Sequence, residues 1–152
     1  MDYTQDMWHT VSNRDETEAF MEQVGYFHDS CIKELKYISG AYVSDRLSMQ
    51  AINNKRELSL IIQRQYENPS MLELQFEELK YLKLFPVGTE YTCEISGATM
   101  LCLDGYIYWA DSDELCEDNL SDYDGTLICA KRMKWREIDG CMGKDEFYRA
   151  AK

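Results

Sequence analysis

Leu58-Ser59-Leu60-Ile61-Ile62-Gln63-Arg64-Gln65-Tyr66, Glu67-Asn68-Pro69-Ser70 and Met71-Leu72-Glu73-Leu74-Gln75-Phe76-Glu77-Glu78-Leu79-Lys80-Tyr81-Leu82-Lys83-Leu84 run consecutively, and their reading decides the fold. In the third piece Leu72, Leu74 and Phe76 alternate with Glu73, Gln75 and Glu77. A period of two marks a strand with one buried face. Leu58, Leu60 and Ile62 repeat the pattern against Ser59, Ile61 and Gln63. Pro69 cannot donate to a ladder, so the chain reverses in the polar connection. The stretch predicts an antiparallel hairpin at the centre of a sheet. Beyond Glu78 the apolar period becomes mixed at Leu79, Leu82 and Leu84.

The flanking sequence supplies more short strands and one helix. Asp15 and Glu16 follow the capping candidates Ser12 and Asn13, and carboxylates suit the positive end of a helix. Ala19, Phe20, Met21 and Val24 form an apolar stripe before Gly25, a natural stop. This predicts a helix over 14–24. Strands are expected at 31–38, 41–43, 91–95, 100–103, 106–109 and 126–135. Asp104-Gly105 between apolar runs is a hairpin signal, since both positions of a tight turn need positive φ. Residues 44–56 read as a polar loop whose Met49 and Ile52 fold back onto the body. Asp145 to Ala151 read as a short C-terminal helix. Residues 1–11 read as an irregular arm that packs Trp8. The expected architecture is α+β: one domain over 1–152, a curved and mostly antiparallel sheet of six to eight strands, and the N-terminal helix on one face.

Length and composition agree with a single folded domain. The 152 residues are 45% hydrophobic and 12% aromatic, above what disorder would show. Acidic residues number 28 against 16 basic, a net charge of −12. That charge disfavours phosphate backbones and anionic membranes, and favours a basic protein partner. The densest basic run is Lys131, Arg132, Lys134 and Arg136. No stretch reaches the ~20 apolar residues of a membrane helix, and the first residues carry no secretion signal, so a cytoplasmic location is expected. The six cysteines show no C-x-x-C pair. Cys31, Cys93, Cys102 and Cys129 lie in strand-like segments and are expected to be small buried hydrophobes. Neither a metal site nor a cofactor is expected.

Two stretches invite chemistry. His28-Asp29-Ser30-Cys31 puts an imidazole, a carboxylate, a hydroxyl and a thiol in a row. On an extended chain neighbours point to opposite faces, so such a run rarely assembles a catalytic set. His28 and Asp29 remain the catalytic candidates of an alternative reading, a small enzyme with a pocket beside them. The second stretch, 111–124, holds Asp111, Asp113, Glu114, Glu117, Asp118, Asp122 and Asp124. It begins like a calcium loop but has Cys116 where glycine is needed and Asp122 at the last ligand position. A solvated acidic loop is the plainer reading, and a loop that receives a basic partner is another, with Asp111, Asp113, Glu114, Glu117 and Asp118 as the contacts. A further alternative is a homo-oligomer that uses an aromatic sheet face, since Tyr106 and Tyr108 project to one side and Ile107 and Trp109 to the other.

Phe27-His28-Asp29-Ser30 leading into Ile32-Lys33-Glu34-Leu35, with the strand Leu72-Glu73-Leu74-Gln75-Phe76, resembles a family of small bacterial proteins. Some of these are assigned as immunity proteins of polymorphic toxin systems. The resemblance covers residues 26–110. It implies a cytosolic, non-enzymatic protein that binds and blocks a toxin, and it brings no contact residues with it.

Overall fold

The alternation at 58–76 becomes the middle of a seven-stranded antiparallel sheet. The computed structural model describes residues 7–140 and 142–144. In chain order the elements are β1 (His9–Val11), α1 (Arg14–Gln23), β2 (Ser30–Ile38), β3 (Tyr42–Val43), β4 (Met49–Gln50), β5 (Glu57–Arg64), β6 (Met71–Lys83), β7 (Thr99–Leu103), β8 (Tyr106–Ala110) and β9 (Leu127–Glu137). The sheet runs β2-β5-β6-β9-β8-β7, and β3 with β4 forms a separate two-stranded hairpin. The fold is therefore α+β, with α1, the one α-helix among the described residues, packed on the large sheet. No helix among the described residues is long and apolar enough to cross a membrane.

The register explains why the central hairpin is stable. Leu58 faces Phe76, Leu60 faces Leu74 and Ile62 faces Leu72, and all six side chains are fully buried. On β9 the same layer continues with Met133 and Trp135. α1 covers this face with Phe20, Met21 and Val24. Its start is fixed as the sequence suggests: the Asn13 side chain accepts from the Glu16 amide at 2.8 Å, which satisfies a donor the helix cannot use internally. Val24 closes the helix one residue before Gly25.

The mixed period after Phe76 has a local cause. Glu78 takes a positive φ of 52°, and Lys80 is left between the paired residues Leu79 and Tyr81. An extra residue shifts the alternation, so Leu79 and Leu82 both return to the core side. On β9, Ile128 and Ala130 join the same core as Met133 and Trp135, with the exposed Lys131 and Arg132 between them.

Four expectations need correction. His9–Val11, placed in an irregular arm, pair with β9 from His9↔Trp135 to Val11↔Met133. Residues 91–95 are irregular, touching the sheet only where Ser30 pairs with Ile95. There the Thr92 hydroxyl accepts from the Glu94 amide at 3.2 Å, a local bond that competes with a ladder. Cys93 is accordingly exposed, Cys31 and Cys102 are half-buried, and Cys129 is buried. Residues 44–56 do not fold back: Met49 and Ile52 are 64% and 72% exposed on the projecting β3–β4 hairpin. The expected C-terminal helix lies outside the described residues.

The opposite face of the sheet is divided. Over β7, β8 and β9 it carries a second apolar cluster of Tyr108, Ala110, Leu127 and Cys129. Over β6 and β9 it carries a charged ladder. There Arg136 meets Glu73 at 2.7 Å, and Glu77 meets Arg132 at 3.3 Å and Lys134 at 3.6 Å. Glu78 binds Arg132 as well, and this guanidinium holds the Glu78 carboxyl below its ordinary pKa. The Trp8 ring lies 4.7 Å from the Lys134 ammonium and 4.3 Å from the Arg136 guanidinium. Three of the four residues of the basic run thus meet carboxylates within the chain, while Lys131 lies over the Tyr106 ring.

Candidate functional site

Residues 111–126 connect β8 to β9 and fold back over the second apolar cluster. Leu115 and Tyr123 are buried there, with Leu120 packed beside them on Tyr108, Leu127 and Cys129. The loop thus covers the Tyr108 end of the Tyr106–Tyr108 face, while Tyr106 stays half-buried. Burial, aided by contact with Cys129, pushes the Tyr108 phenol up to about 12.

Hydrogen bonds close the loop at its base. The Asp111 amide donates to the Thr126 carbonyl at 3.3 Å. The Asp111 carboxylate accepts from the Tyr123 hydroxyl at 2.6 Å and from the Thr126 amide at 3.2 Å. Ser112 Oγ lies 3.0 Å from the Tyr123 oxygen, and Lys83 donates to the Tyr123 carbonyl. Burial, and then the neighbouring Asp111 carboxylate, push the Tyr123 phenol well above its ordinary pKa. Gly125 fits because a Cβ there would stand 2.7 Å from the Asp111 carboxylate and 2.8 Å from the Tyr123 hydroxyl. Farther out, Asn119 bridges the Cys116 amide and the Glu114 carbonyl, each at 2.7 Å.

This anchoring sorts the five acidic candidates. Asp111 is half-buried and spends its carboxylate inside the loop. Asp113, Glu114, Glu117 and Asp118 are exposed, as are Asp122 and Asp124. No lysine or arginine occurs from 111 to 126. The result is an ordered loop that displays six carboxylates without an internal cation among them. Among the described residues no three His, Cys, Asp or Glu side chains are grouped closely enough to hold a metal ion.

His28 and Asp29 do come together, against the expectation from an extended chain. Gly25, Tyr26, Phe27 and Asp29 all take positive φ, between 56° and 59°. For side chains with a Cβ this is uncommon and strained. Phe27 is fully buried, its ring edge-on to Trp109 at 5.7 Å, and this packing offsets the strain. The left-handed turn brings His28 Nε2 to 3.4 Å from the Asp29 carboxylate. Tyr66 donates to that carboxylate at 3.1 Å, and His28 Nδ1 lies 2.6 Å from the Ser96 carbonyl. The imidazole stays 56% exposed. Asp29 also borders an open cleft of about 570 Å³ with Ser30, Cys31, Arg64 and Glu94. His28 is outside that lining, and Ser30 Oγ points to the His28 carbonyl at 3.4 Å. Imidazole and hydroxyl are therefore not arranged as base and nucleophile.

Two parts of these sites had no signal in the sequence reading. Thr126, which ties the loop base, looked like the first residue of a strand. Arg64 lies inside the 58–66 run with nothing beside it to mark a role, yet it is 8% exposed and donates to the Pro69 carbonyl at 2.7 Å and the Val24 carbonyl at 3.0 Å. It thereby ties the central hairpin turn to the end of α1. Comparison with protein-family models, with curated proteins and with solved structures finds no match to this chain.

Proposed function

We propose that this chain is a small binding protein that captures a basic partner protein on its 111–124 loop, in the manner of an immunity-type inhibitor. The carrying observation is the anchoring of the loop: Leu115, Tyr123 and Asp111 are fixed beneath it while Asp113, Glu114, Glu117 and Asp118 stand exposed above. A preformed acidic surface needs little ordering on association, which removes part of the cost of binding. Like charges gathered on one loop also raise the rate of encounter with a cationic surface. An inhibitor needs only to cover its target, so this reading asks for no catalytic group. The chain's net charge of −12 supports a partner of opposite sign. The resemblance to bacterial immunity proteins supports a toxin as that partner, a basic nuclease being one example.

The test is capture from the source cells by the native chain and by a Glu117→Lys, Asp118→Lys variant. One basic protein held by the native chain at low salt, and lost by the variant, supports the proposal. Identical capture by both chains removes the loop from the mechanism.

A further inference from the structure

A cleft of about 370 Å³ opens beside the base of the acidic loop, between the 84–95 segment and β2. Ile32, Leu84, Phe85, Val87 and Ile95 give it apolar walls. Leu84, Phe85 and Val87 remain 53%, 49% and 40% exposed, so this apolar surface lacks a cover among the described residues. A smaller cleft of about 210 Å³ adjoins it and shares Phe85, Val87 and Asp111. The two form one groove from β2 to the acidic loop. Glu94 and Asp111 line the first part, Glu114 and Asp124 the second, and neither part includes a lysine or arginine among the described residues.

The groove is tied to the loop through Thr126. Its hydroxyl accepts from the Phe85 amide at 3.0 Å, and its own amide donates to Asp111 at 3.2 Å. Apolar wall and acidic rim are therefore held in a fixed relation. At about 370 Å³ the cleft lies at the small end of the range of ligand sites, with room for one aromatic side chain. A buried apolar anchor surrounded by a charged rim is the usual layout of an energetic centre in a protein interface.

We propose that this groove is the anchor point for the partner protein. It takes one aromatic or aliphatic side chain of the partner between Phe85, Val87 and Ile95, while a Lys or Arg next to that side chain reaches Glu94, Glu114 or Asp124. The inference rests on the binding reading above and adds the chemistry of the segment bound. The occupant follows from the walls. Apolar surface alone would accept any hydrophobic group, but Glu94, Glu114 and Asp124, with no lysine or arginine among the described lining residues, select a basic neighbour and reject an acidic one.

The probes are N-acetyl-Phe-Arg-amide and N-acetyl-Phe-Glu-amide, titrated into the full chain with backbone amide chemical shifts as readout. The Phe-Arg probe should shift amides in 84–95 and 111–126 and saturate in the millimolar range, with the Phe-Glu probe at least tenfold weaker. Val87→Lys should abolish the response. Glu94→Lys, an exposed change that leaves the apolar walls intact, should weaken it severalfold. Equal response to both probes, no response, or shifts centred elsewhere would overturn the inference. Glu117 and Asp118 lie outside the groove, so their effect on partner capture reports on the loop reading separately.

Discussion

Tyr123→Phe removes one oxygen and leaves the ring in place. The lost hydroxyl donates at 2.6 Å to the Asp111 carboxylate, which then keeps only the Thr126 amide at 3.2 Å from this network. A hydrogen bond to a charged group contributes ~1.5–3 kcal/mol. Because the phenyl ring still fills the site, the hydrophobic part of the burial is retained. We expect a loss of about 2 kcal/mol, or roughly thirtyfold in the equilibrium for opening the loop. With a urea slope of ~2 kcal/mol per molar, the unfolding midpoint falls by about 1 M if the loop opens only with the whole fold. If the loop opens alone, the midpoint moves less, and amide exchange at Asp111 and Thr126 speeds up by the same factor. Urea unfolding and hydrogen exchange on one sample separate the two cases. A change below ~0.5 kcal/mol in both would refute the anchoring argument. It would mean that the packing of Leu115 and Leu120 holds the loop without the polar base.

Further expectations concern the sheet and its titrating groups. Glu73→Gln strips the carboxylate from an ion pair whose side chains are only 10% and 15% exposed. Leaving the Arg136 charge uncompensated should cost about 3 kcal/mol by chemical denaturation, and replacing both residues with Leu and Met should recover most of it. The Tyr108 phenol, held up to about 12, and Tyr123, raised further, stay protonated in the folded chain after unfolded phenols ionise near ~10. Their contribution is thus complete below pH ~10 and is lost as pH rises towards the folded values. Thermal melting should fall steeply above pH ~10, and Tyr108→Phe should make that fall shallower. Gly40 has a φ of +98°, and a Cβ there would stand 2.2 Å from Asn54 Oδ1 and 2.7 Å from the Lys55 amide. Gly40→Ala should therefore cost more than ~1 kcal/mol, with amide shifts concentrated in the 39–56 hairpin.

What the sequence made legible was what its periodicity encodes. The alternation at Leu58–Ile62 and Leu72–Phe76, the Asp104-Gly105 turn and the capped 14–24 stripe each depend on neighbours a few residues away, and each appears in the structure. The failures arise where local and distant interactions compete. Residues 91–95 alternate well, but the Thr92 hydroxyl takes the Glu94 amide and only Ile95 reaches β2. His9–Val11 are too short to show a period, and their strand exists because β9 has an open edge beyond Ala130. At the candidate site the carboxylates of 111–124 were visible, but the division of labour among them was not. Asp111 differs from Asp113 only because Tyr123 and Thr126 return to it from across the loop. The meeting of His28 with Asp29 was hidden for a related reason. It needs positive φ at Asp29 after two others at Tyr26 and Phe27, and the sequence gives no sign of such strain at residues with side chains.

The central claim is that an ordered acidic loop, rather than the His28 cluster, meets a basic partner. Its most direct test is the affinity of the captured partner for the native chain and for the Glu117→Lys, Asp118→Lys variant, each measured across a salt series. We predict that native affinity falls steadily as salt rises, and that the variant binds weakly at low salt with a much flatter dependence. Equal affinities with parallel salt dependences, together with loss of binding on His28→Ala, would contradict the account and move the interface to the exposed turn that carries His28 and Asp29.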